Sequence, residues 1–325
     1  MAEADYMFDY KTDEVFFPSL HSSRLNIQDL KYKFAHYTTA DVATSIFRNK
    51  QLWMRNTQAM NDSSEVMHGL QNLSELRFQP VWADFIKVLD SLELGLAAEV
   101  STIFDDYSGQ IQDSTFITCV SEHSAADDEF GRLSMWRAYG GRQGVALIFR
   151  AETVEIHNEP LLVQAMPVTY TNRAGFIRMF EDFVDGLKKE ENADHLKKLD
   201  KNTRRNLFVH SLLLNAICTK HPGFQEEREW RIISAPPLLS GSEFVSTDIE
   251  SVRGLPQIVK KMNLRDKPES NIIGVELHNL IEKVIIGPCD FPTILRDAIC
   301  IDMRKAGFES PEEMVVISGI PYRHL

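Results

Sequence analysis

Two short runs of β-branched and aromatic residues constrain the fold of this chain most strongly. They are STFITCVSE at 114–122 and GVALIF at 144–149, and polar or glycine-containing turns bound each of them. Short apolar runs of this kind are typical of buried strands. Helical patterns lie around them, including the stretch from Leu76 to about Tyr107. The sequence therefore predicts an α+β fold in which helices are inserted between strands.

Further strands are predicted on both sides of these two runs. Strict alternation predicts a strand in KYKFAHYTT, and helical spacing follows it up to about Lys50. Residues 172–219 predict two amphipathic helices that separate near Glu191 to Ala193. The other predicted strands are LWM (52–54), PLLVQAMPVTY (160–170), QEEREWRIIS (225–234), EKVIIGP (282–288) and EMVVISGI (313–320).

The domain organisation follows from length and periodicity. The first 27 residues show no sustained period, so an irregular N-terminal extension is predicted there. Length alone allows two domains, and a single domain with long insertions fits equally well. We take residues 28–325 as one α+β domain with a helical insertion at about 172–219.

Composition narrows the class of protein. A chain of 325 residues with 43% hydrophobic and 25% charged residues has an ordinary globular composition. Its net charge of −12 argues against a broad surface that follows nucleic-acid phosphates. One basic run, KKLDKNTRR at 197–205, is interpreted as a solvated helix face rather than a nucleic-acid contact.

The N-terminus and the cysteines indicate a cytoplasmic protein. MAEADYMFDYKTDEVFF is acidic and lacks the basic and apolar regions of a secretory signal. Apolar runs such as LLLNAIC at 212–218 are far shorter than the ~20 residues that cross a bilayer. The four cysteines are widely separated, which indicates neither a zinc site nor a disulfide framework.

The strongest polar signal lies in HPGFQEEREWRII. Alternation along a strand places Glu227, Glu229 and Arg231 on one face, opposite the apolar Trp230 and Ile232. Such a row on an edge strand is often only a solvated ion pair. Because aromatic and aliphatic residues flank it on both sides, a half-buried and functional carboxylate pair is the competing interpretation.

Two weaker signals accompany this row. In FAHYTT, His36 lies on an early strand and is followed by Tyr37 and Thr38, although a lone strand histidine more often bonds the backbone. In the second, ITCVSE and MWRAYGGRQG place three side chains near a glycine-rich turn: Ser121, Trp136 and Tyr139. The two aromatic residues are three apart on one helix face, and a core role is the alternative for both.

At these motifs the chain resembles the domain-of-unknown-function 2971 family. The shared motifs, in order, are FAHYTT, the MND of 60–62, MWRAYG with GVALIF, KHPGFQEEREWRI and the closing SGIPYR. The resemblance extends from about residue 30 to the end of the chain. The family name implies no activity.

The chain also resembles, more distantly, the ADP-ribosyltransferases. That resemblance implies a mixed, mainly antiparallel split sheet, with NAD bound as the substrate. Carried over to this sequence, it implies that His36 holds the adenosine ribose and that Tyr139 or Trp136 stacks on nicotinamide. It makes Glu229 or Glu227 the catalytic acid. The remaining candidate NAD-binding residues are Tyr37, Thr38, Ser121 and Arg231.

Two functions of different classes follow from these resemblances. The first is an NAD-consuming enzyme, an ADP-ribosyltransferase or an NAD glycohydrolase, with an unknown protein or nucleic acid as acceptor and a setting in bacterial conflict or phage defence. No metal is required, because a carboxylate stabilises the cationic sugar. The alternative is a non-catalytic module of the same fold that binds a nucleotide or a partner.

Overall fold

Short strands and helices alternate along the chain. The computed structural model describes residues 10–30, 32–60, 66–151, 163–235, 244–270 and 272–321. Twelve strands lie in these ranges: β1 (Lys33–Thr39), β2 (Gln51–Asn56), β3 (Phe116–His123), β4 (Gly144–Phe149), β5 (Gln164–Pro167), β6 (Thr169–Tyr170), β7 (Thr219–Lys220), β8 (Glu229–Ser234), β9 (Val245–Val252), β10 (Leu255–Asn263), β11 (Ile281–Ile286) and β12 (Val315–Ile317).

The α-helices of the same ranges cover the sheet and fill the insertion. They are α1 (Tyr10–Phe16), α2 (Pro18–Leu30), α3 (Ala40–Asn49), α4 (Met67–Leu76), α5 (Pro80–Leu92), α6 (Leu96–Ser108), α7 (Ile111–Ser114), α8 (Leu133–Tyr139), α9 (Arg173–Lys188), α10 (Glu190–Lys198), α11 (Lys201–Ile217), α12 (Leu277–Leu280), α13 (Pro292–Ala306) and α14 (Pro311–Met314). No helix in the described ranges is long and apolar enough to span a membrane.

Ten of the strands form one mixed sheet. Its main path runs β12-β11-β4-β1-β3-β2-β10-β9, and β8 pairs with both β3 and β5. The pairs are antiparallel except β11 with β12, and β6 and β7 form a separate parallel pair. The predicted α+β class with a mixed, mainly antiparallel sheet is therefore confirmed.

The sheet divides along one edge of β3. Strand β1 pairs with Ser121 to His123, whereas β2 pairs with Phe116 and Ile117 on the same edge. In the register of the described strands, residues 118–120 pair with neither β1 nor β2. We call this opening the fork. Strand β8 occupies the opposite edge of β3, so the polar residues of β8 lie one strand away from the fork.

The N-terminal segment differs from the prediction. The residues predicted to be an irregular extension form α1 and α2 from Tyr10 onward. Phe16, Phe17 and Leu20 are buried in the main core, and the Ser211 hydroxyl donates to Phe16 O at 3.0 Å. The helical period is hidden because the two helices meet at Phe17, which breaks the spacing of the apolar residues.

The helical insertion contains three helices rather than the predicted two. Residues Glu191 to Ala193, where the break was expected, lie inside α10. The second break comes at Asp200, whose side chain accepts hydrogen bonds from the backbone N–H groups of Asn202 and Thr203 and so starts α11. The N-cap residue Asp200, which lies within a charged run, therefore marks the start of α11 as a helix separate from α10.

The basic run within this insertion is neutralised by carboxylates. Lys201 Nζ lies 2.7 Å from Glu99 and 3.2 Å from Glu93, and Arg204 Nη2 lies 2.7 Å from Glu93. Arg205 also pairs with Glu99 at 3.6 Å. These contacts support the interpretation of the run as an ordinary helix surface.

Candidate functional site

A buried lysine lies between two glutamates where the end of the insertion meets the sheet. Lys220 Nζ lies 2.7 Å from Glu227 Oε2 and 2.9 Å from Glu229 Oε2. Arg231 Nε donates to the other Glu229 oxygen at 3.0 Å, and the Tyr139 hydroxyl donates to Glu227 Oε1 at 2.8 Å. These side chains and one neighbour form what we call the carboxylate cluster: Tyr139, Tyr170, Lys220, Glu227, Glu229 and Arg231.

The backbone reverses between the lysine and the second glutamate. A 3₁₀ helix, Pro222–Glu227, follows β7, and Arg228 then adopts a left-handed conformation with φ of 44° before β8 begins at Glu229. The predicted strand therefore starts later than expected, and the alternation that placed Glu227 beside Glu229 was wrong. The two carboxylates converge because the turn folds back over Lys220.

The Glu229 carboxylate is held in its charged form. Burial alone would raise its pKa, but the charges of Arg231 and Lys220 outweigh burial and lower the pKa to about 2. Arg231 is completely buried, and its Nη1 also donates to Ile217 O. With only 5% of the Glu229 side chain exposed, the alternative of a solvated surface ion pair does not apply.

Two tyrosine hydroxyls complete the cluster in their protonated form. Burial raises the pKa of both Tyr139 and Tyr170, and the charge of Glu227 raises that of Tyr139 further. The Tyr170 oxygen accepts the backbone N–H of Glu229 at 2.8 Å. Both phenols therefore remain hydrogen-bond donors at neutral pH.

One side of the cluster is open to solvent. The side chain of Glu227 is 13% exposed, compared with 4% for Lys220. The exposed Phe224 ring lies beside this opening, with Lys220 Nζ 4.8 Å from its centroid. Tyr139 is half-buried on the same side. A molecule that approaches the cluster therefore meets Glu227, Tyr139 and Phe224 before it meets Glu229.

Strand β3 connects the cluster to the fork. Ser121 is buried and lies opposite Glu229 on β8 and opposite Ala35 on β1. The Cys119 thiol hydrogen-bonds Glu229 and contributes to its low pKa. The Cys119 carbonyl oxygen lies 2.9 Å from His36 Nδ1, so that this ring nitrogen carries the proton.

The residues of FAHYTT lie along β1 at the fork. Burial lowers the pKa of His36 and outweighs the opposing effect of its bond to Cys119, so the ring is neutral. Tyr37 and Thr38 are buried, and the Tyr37 hydroxyl accepts the backbone N–H of Arg132 at 3.0 Å. Among the described contacts, none joins the His36 side chain directly to a cluster carboxylate. The link between them runs through Cys119.

Trp136 belongs to the core and not to the open side. Its ring is 1% exposed, and its Nε1 donates to Phe130 O at 2.9 Å. Glycines make room for it, because a Cβ at Gly287 would lie 2.6 Å from the ring. The two aromatic residues three apart on α8 therefore have different environments, and Tyr139 alone reaches the cluster.

The site residues predicted from the sequence did not include Lys220, Tyr170, Cys119 or Arg132. Arg132 fixes the turn that carries Glu227, since its Nη1 donates to Glu226 O at 2.5 Å and its Nη2 donates to Glu122 O at 2.6 Å. The available signal for Lys220 was its position directly after a long apolar helix, where a lysine is buried only when it is paired. Nothing in the local pattern marks Arg132.

A family model matches the middle of the chain. Residues 135–232 match the family described as "Protein of unknown function (DUF2971)", which confirms the resemblance over this segment. The predicted extent from about residue 30 to the end stays a prediction. The matched segment contains the whole carboxylate cluster, whereas FAHYTT and SGIPYR lie outside it. Asn61 and Asp62 of the MND motif, and Tyr322 and Arg323 of the closing motif, lie outside the described residues. The chain matches no curated protein and no solved structure.

Proposed function

We propose that this chain, whose residues 135–232 match the DUF2971 family, is an NAD-consuming enzyme, either an ADP-ribosyltransferase or an NAD glycohydrolase. The observation that carries the proposal is the pair of carboxylates, Glu227 and Glu229, which meet at one buried ammonium beside the partly exposed rings of Tyr139 and Phe224. The fork between β1 and β2, with His36 at its edge, adds support, because the distant resemblance implies a split sheet with a histidine on its first strand.

The chemistry needs a fixed negative charge near the ribose. The glycosidic bond between ribose C1′ and the nicotinamide nitrogen breaks with both electrons going to the nitrogen, so neutral nicotinamide leaves. The ribose carries the positive charge as an oxocarbenium ion, which a preorganised carboxylate stabilises. Water or a nucleophile of the acceptor then bonds to C1′ and loses a proton.

The exposure of the two glutamates favours different roles for them. Glu227 is on the open side, so we assign it the contact with the ribose, and Tyr139 donates to its second oxygen. Glu229 is buried and ion-paired with Lys220 and Arg231, so we assign it the role of holding the Lys220 ammonium in place. Tyr139 and Phe224 offer aromatic surface to the nicotinamide, and His36 is assigned to the adenosine ribose.

The decisive experiment is release of nicotinamide from NAD by the purified chain. Glu227→Gln is expected to lower turnover by roughly 100- to 1000-fold with little change in stability, as for loss of one preorganised group. Glu229→Gln is expected to lower stability as well, by ~3–5 kcal/mol, because it removes a buried negative charge that lies between Lys220 and Arg231. Glu93→Gln, which changes a glutamate that follows α5 and pairs with Arg204 of the helical insertion, is the matched control.

The absence of nicotinamide release by the wild-type chain would overturn the proposal. Release at the wild-type rate by Glu227→Gln and Glu229→Gln would exclude these two glutamates from the reaction. The products then separate its two forms. Free ADP-ribose indicates a glycohydrolase, whereas ADP-ribose attached to protein or nucleic acid indicates a transferase and identifies the acceptor. A role in bacterial conflict or phage defence is tested by expressing the active chain and measuring cell growth and cellular NAD.

A non-catalytic nucleotide-binding module is the second candidate. The observation in its favour is that Glu229 already bonds Lys220 and Arg231, as a purely structural carboxylate does. Binding of NAD or ADP-ribose in calorimetry without any release of nicotinamide would establish this alternative.

A further inference from the structure

We propose that Lys220 is a positioning residue that holds Glu227 and Glu229 side by side as two charged carboxylates and thereby sets the lowest pH at which the site works. This inference rests on the proposed function and deepens it. It assigns a role to a lysine whose side chain is buried within the carboxylate cluster.

The geometry fixes both carboxylates to one nitrogen. Lys220 follows α11 directly on the short strand β7, which pairs with Tyr170 of β6. Its side chain is 4% exposed, so water does not replace the ammonium, and the Nζ distances to Glu227 and Glu229 are 2.7 and 2.9 Å. Two oxygens that contact one nitrogen in this way lie within roughly 6 Å of each other, a separation at which two carboxylates repel.

The charged and titratable groups that contact Lys220 or its two glutamates come from five elements. Strand β7 also packs against α4, whose His68 Nε2 lies 2.9 Å from Thr171 O. Strand β8 contributes Glu229 and Arg231, and the 3₁₀ helix contributes Glu227. Helix α8 contributes the Tyr139 phenol, β6 contributes the Tyr170 phenol and β3 contributes the Cys119 thiol. The two phenols are protonated, so the balance of charge rests on two anions and two cations.

Loss of the ammonium would upset this balance. Among the described side chains that contact the pair, Arg231 would then carry the remaining positive charge against two negative ones. Carboxylates that share a site with too little positive charge bind a proton between them. A protonated carboxyl stabilises a developing cation poorly, so the reaction would fail at a pH where the wild type still works.

The first test is the pH dependence of kcat/KM for nicotinamide release. Lys220→Met is expected to move the acid limb of the profile upward by about one pH unit or more, and Lys220→Arg is expected to restore it. Lys201→Met is the matched control, because Lys201 of the helical insertion also bridges two glutamates, Glu93 and Glu99. A Lys220→Met profile with the wild-type acid limb would overturn the proposal.

The second test does not need NAD. Carbon-13 NMR of glutamate carboxyl groups in the full chain should show, in Lys220→Met alone, one carboxyl that titrates at a higher pH than any in the wild type. If the wild-type chain does not consume NAD, the proposed function is wrong. This titration still decides the role of Lys220. Lys220→Gln keeps a hydrogen-bond donor and serves if the methionine variant does not fold. An unchanged titration in both variants would refute the proposal.

Discussion

At the scale of single residues, α8 carries two aromatic side chains with opposite tasks. Trp136 fills a slot between glycines in the core, whereas Tyr139 reaches the Glu227 carboxylate from a half-buried position. Trp136→Ala is expected to cost about 3–5 kcal/mol in urea unfolding, because it leaves a large cavity. Tyr139→Phe keeps the ring and removes one hydrogen bond to a charged group. Because the position is partly exposed, the expected loss in the free energy of unfolding is at most about 1.5–3 kcal/mol.

Nicotinamide release completes this comparison. Tyr139→Phe is expected to lower turnover in the folded protein, whereas Trp136→Ala is expected to act through loss of folded protein. The fully exposed position Phe78, 85% accessible, supplies a control in which alanine changes stability by about 0.5 kcal/mol or less. A Trp136→Ala protein of wild-type stability that fails only in turnover would contradict the assignment of Trp136 to the core.

At the scale of elements, two glycines within helices have different surroundings, one closely packed and one open. A Cβ at Gly69 of α4 would lie 1.9 Å from the carbonyl oxygen of Ala216 on α11, whereas one at Gly186 of α9 would meet nothing within 4 Å. Gly69→Ala is therefore expected to destabilise the protein by about 1–3 kcal/mol. Gly186→Ala is expected to stabilise it by about 0.5–1 kcal/mol, because alanine favours the helix.

Thermal unfolding of the two alanine variants gives the answer directly. The substitution is the same in both, so any intrinsic helix preference is shared and the difference reports the crossing of α4 over α11. Equal shifts in Tm would show that the two helices do not approach each other as closely as Gly69 indicates.

The success of sequence reasoning also differs between elements. Strands buried on both faces, such as β3 and β4, were predicted because their apolar runs are continuous. The hairpin of β9 and β10 received no prediction, because residues such as Ile249 and Ile258 are exposed and the alternation is lost among polar residues. Its turn is formed by Arg253 and Gly254, both with positive φ, which a local pattern alone does not assign to a hairpin.

The candidate site shows the same limit in another form. Glu227 and Glu229 were selected from a strand alternation that the left-handed Arg228 breaks, yet they do meet. Their meeting point is Lys220, which a local pattern does not connect to them. The resemblance placed His36 and the glutamates in one site. The register of β1, β3 and β8 brings His36 and Glu229 to strands on opposite edges of β3, where Cys119 contacts both residues.

At the scale of the whole molecule, a ligand that binds the folded chain raises its free energy of unfolding. If the open side of the cluster binds NAD, a concentration of about 100 times the dissociation constant should stabilise the fold by about 2.7 kcal/mol. Thermal unfolding with NAD, ADP-ribose and ATP measures this. Glu227→Gln should keep most of the shift, because it removes a charge that acts mainly on the reacting ribose. No shift with any nucleotide at millimolar concentration would rule out the catalytic and the binding proposals together.

The pH dependence of unfolding offers a test that needs no ligand. The pKa of Glu229 is lowered from its ordinary value of 4.5 to about 2 in the folded chain. A group with a depressed pKa stabilises the fold above its unfolded pKa, so this contribution is complete above about pH 5 and is lost as the pH falls towards 2.

Urea unfolding of wild type and Glu229→Gln across this range isolates the contribution from the other acidic residues, which both proteins share. The difference in the free energy of unfolding is expected to be largest above pH 5 and to shrink steadily towards pH 2. Glu93→Gln, at a glutamate whose side chain is 32% exposed, is expected to differ from wild type by a small and nearly constant amount. A constant difference for Glu229→Gln would mean that Arg231 and Lys220 do not hold this carboxylate in its charged form. The ion pairs of the carboxylate cluster would then not explain its role.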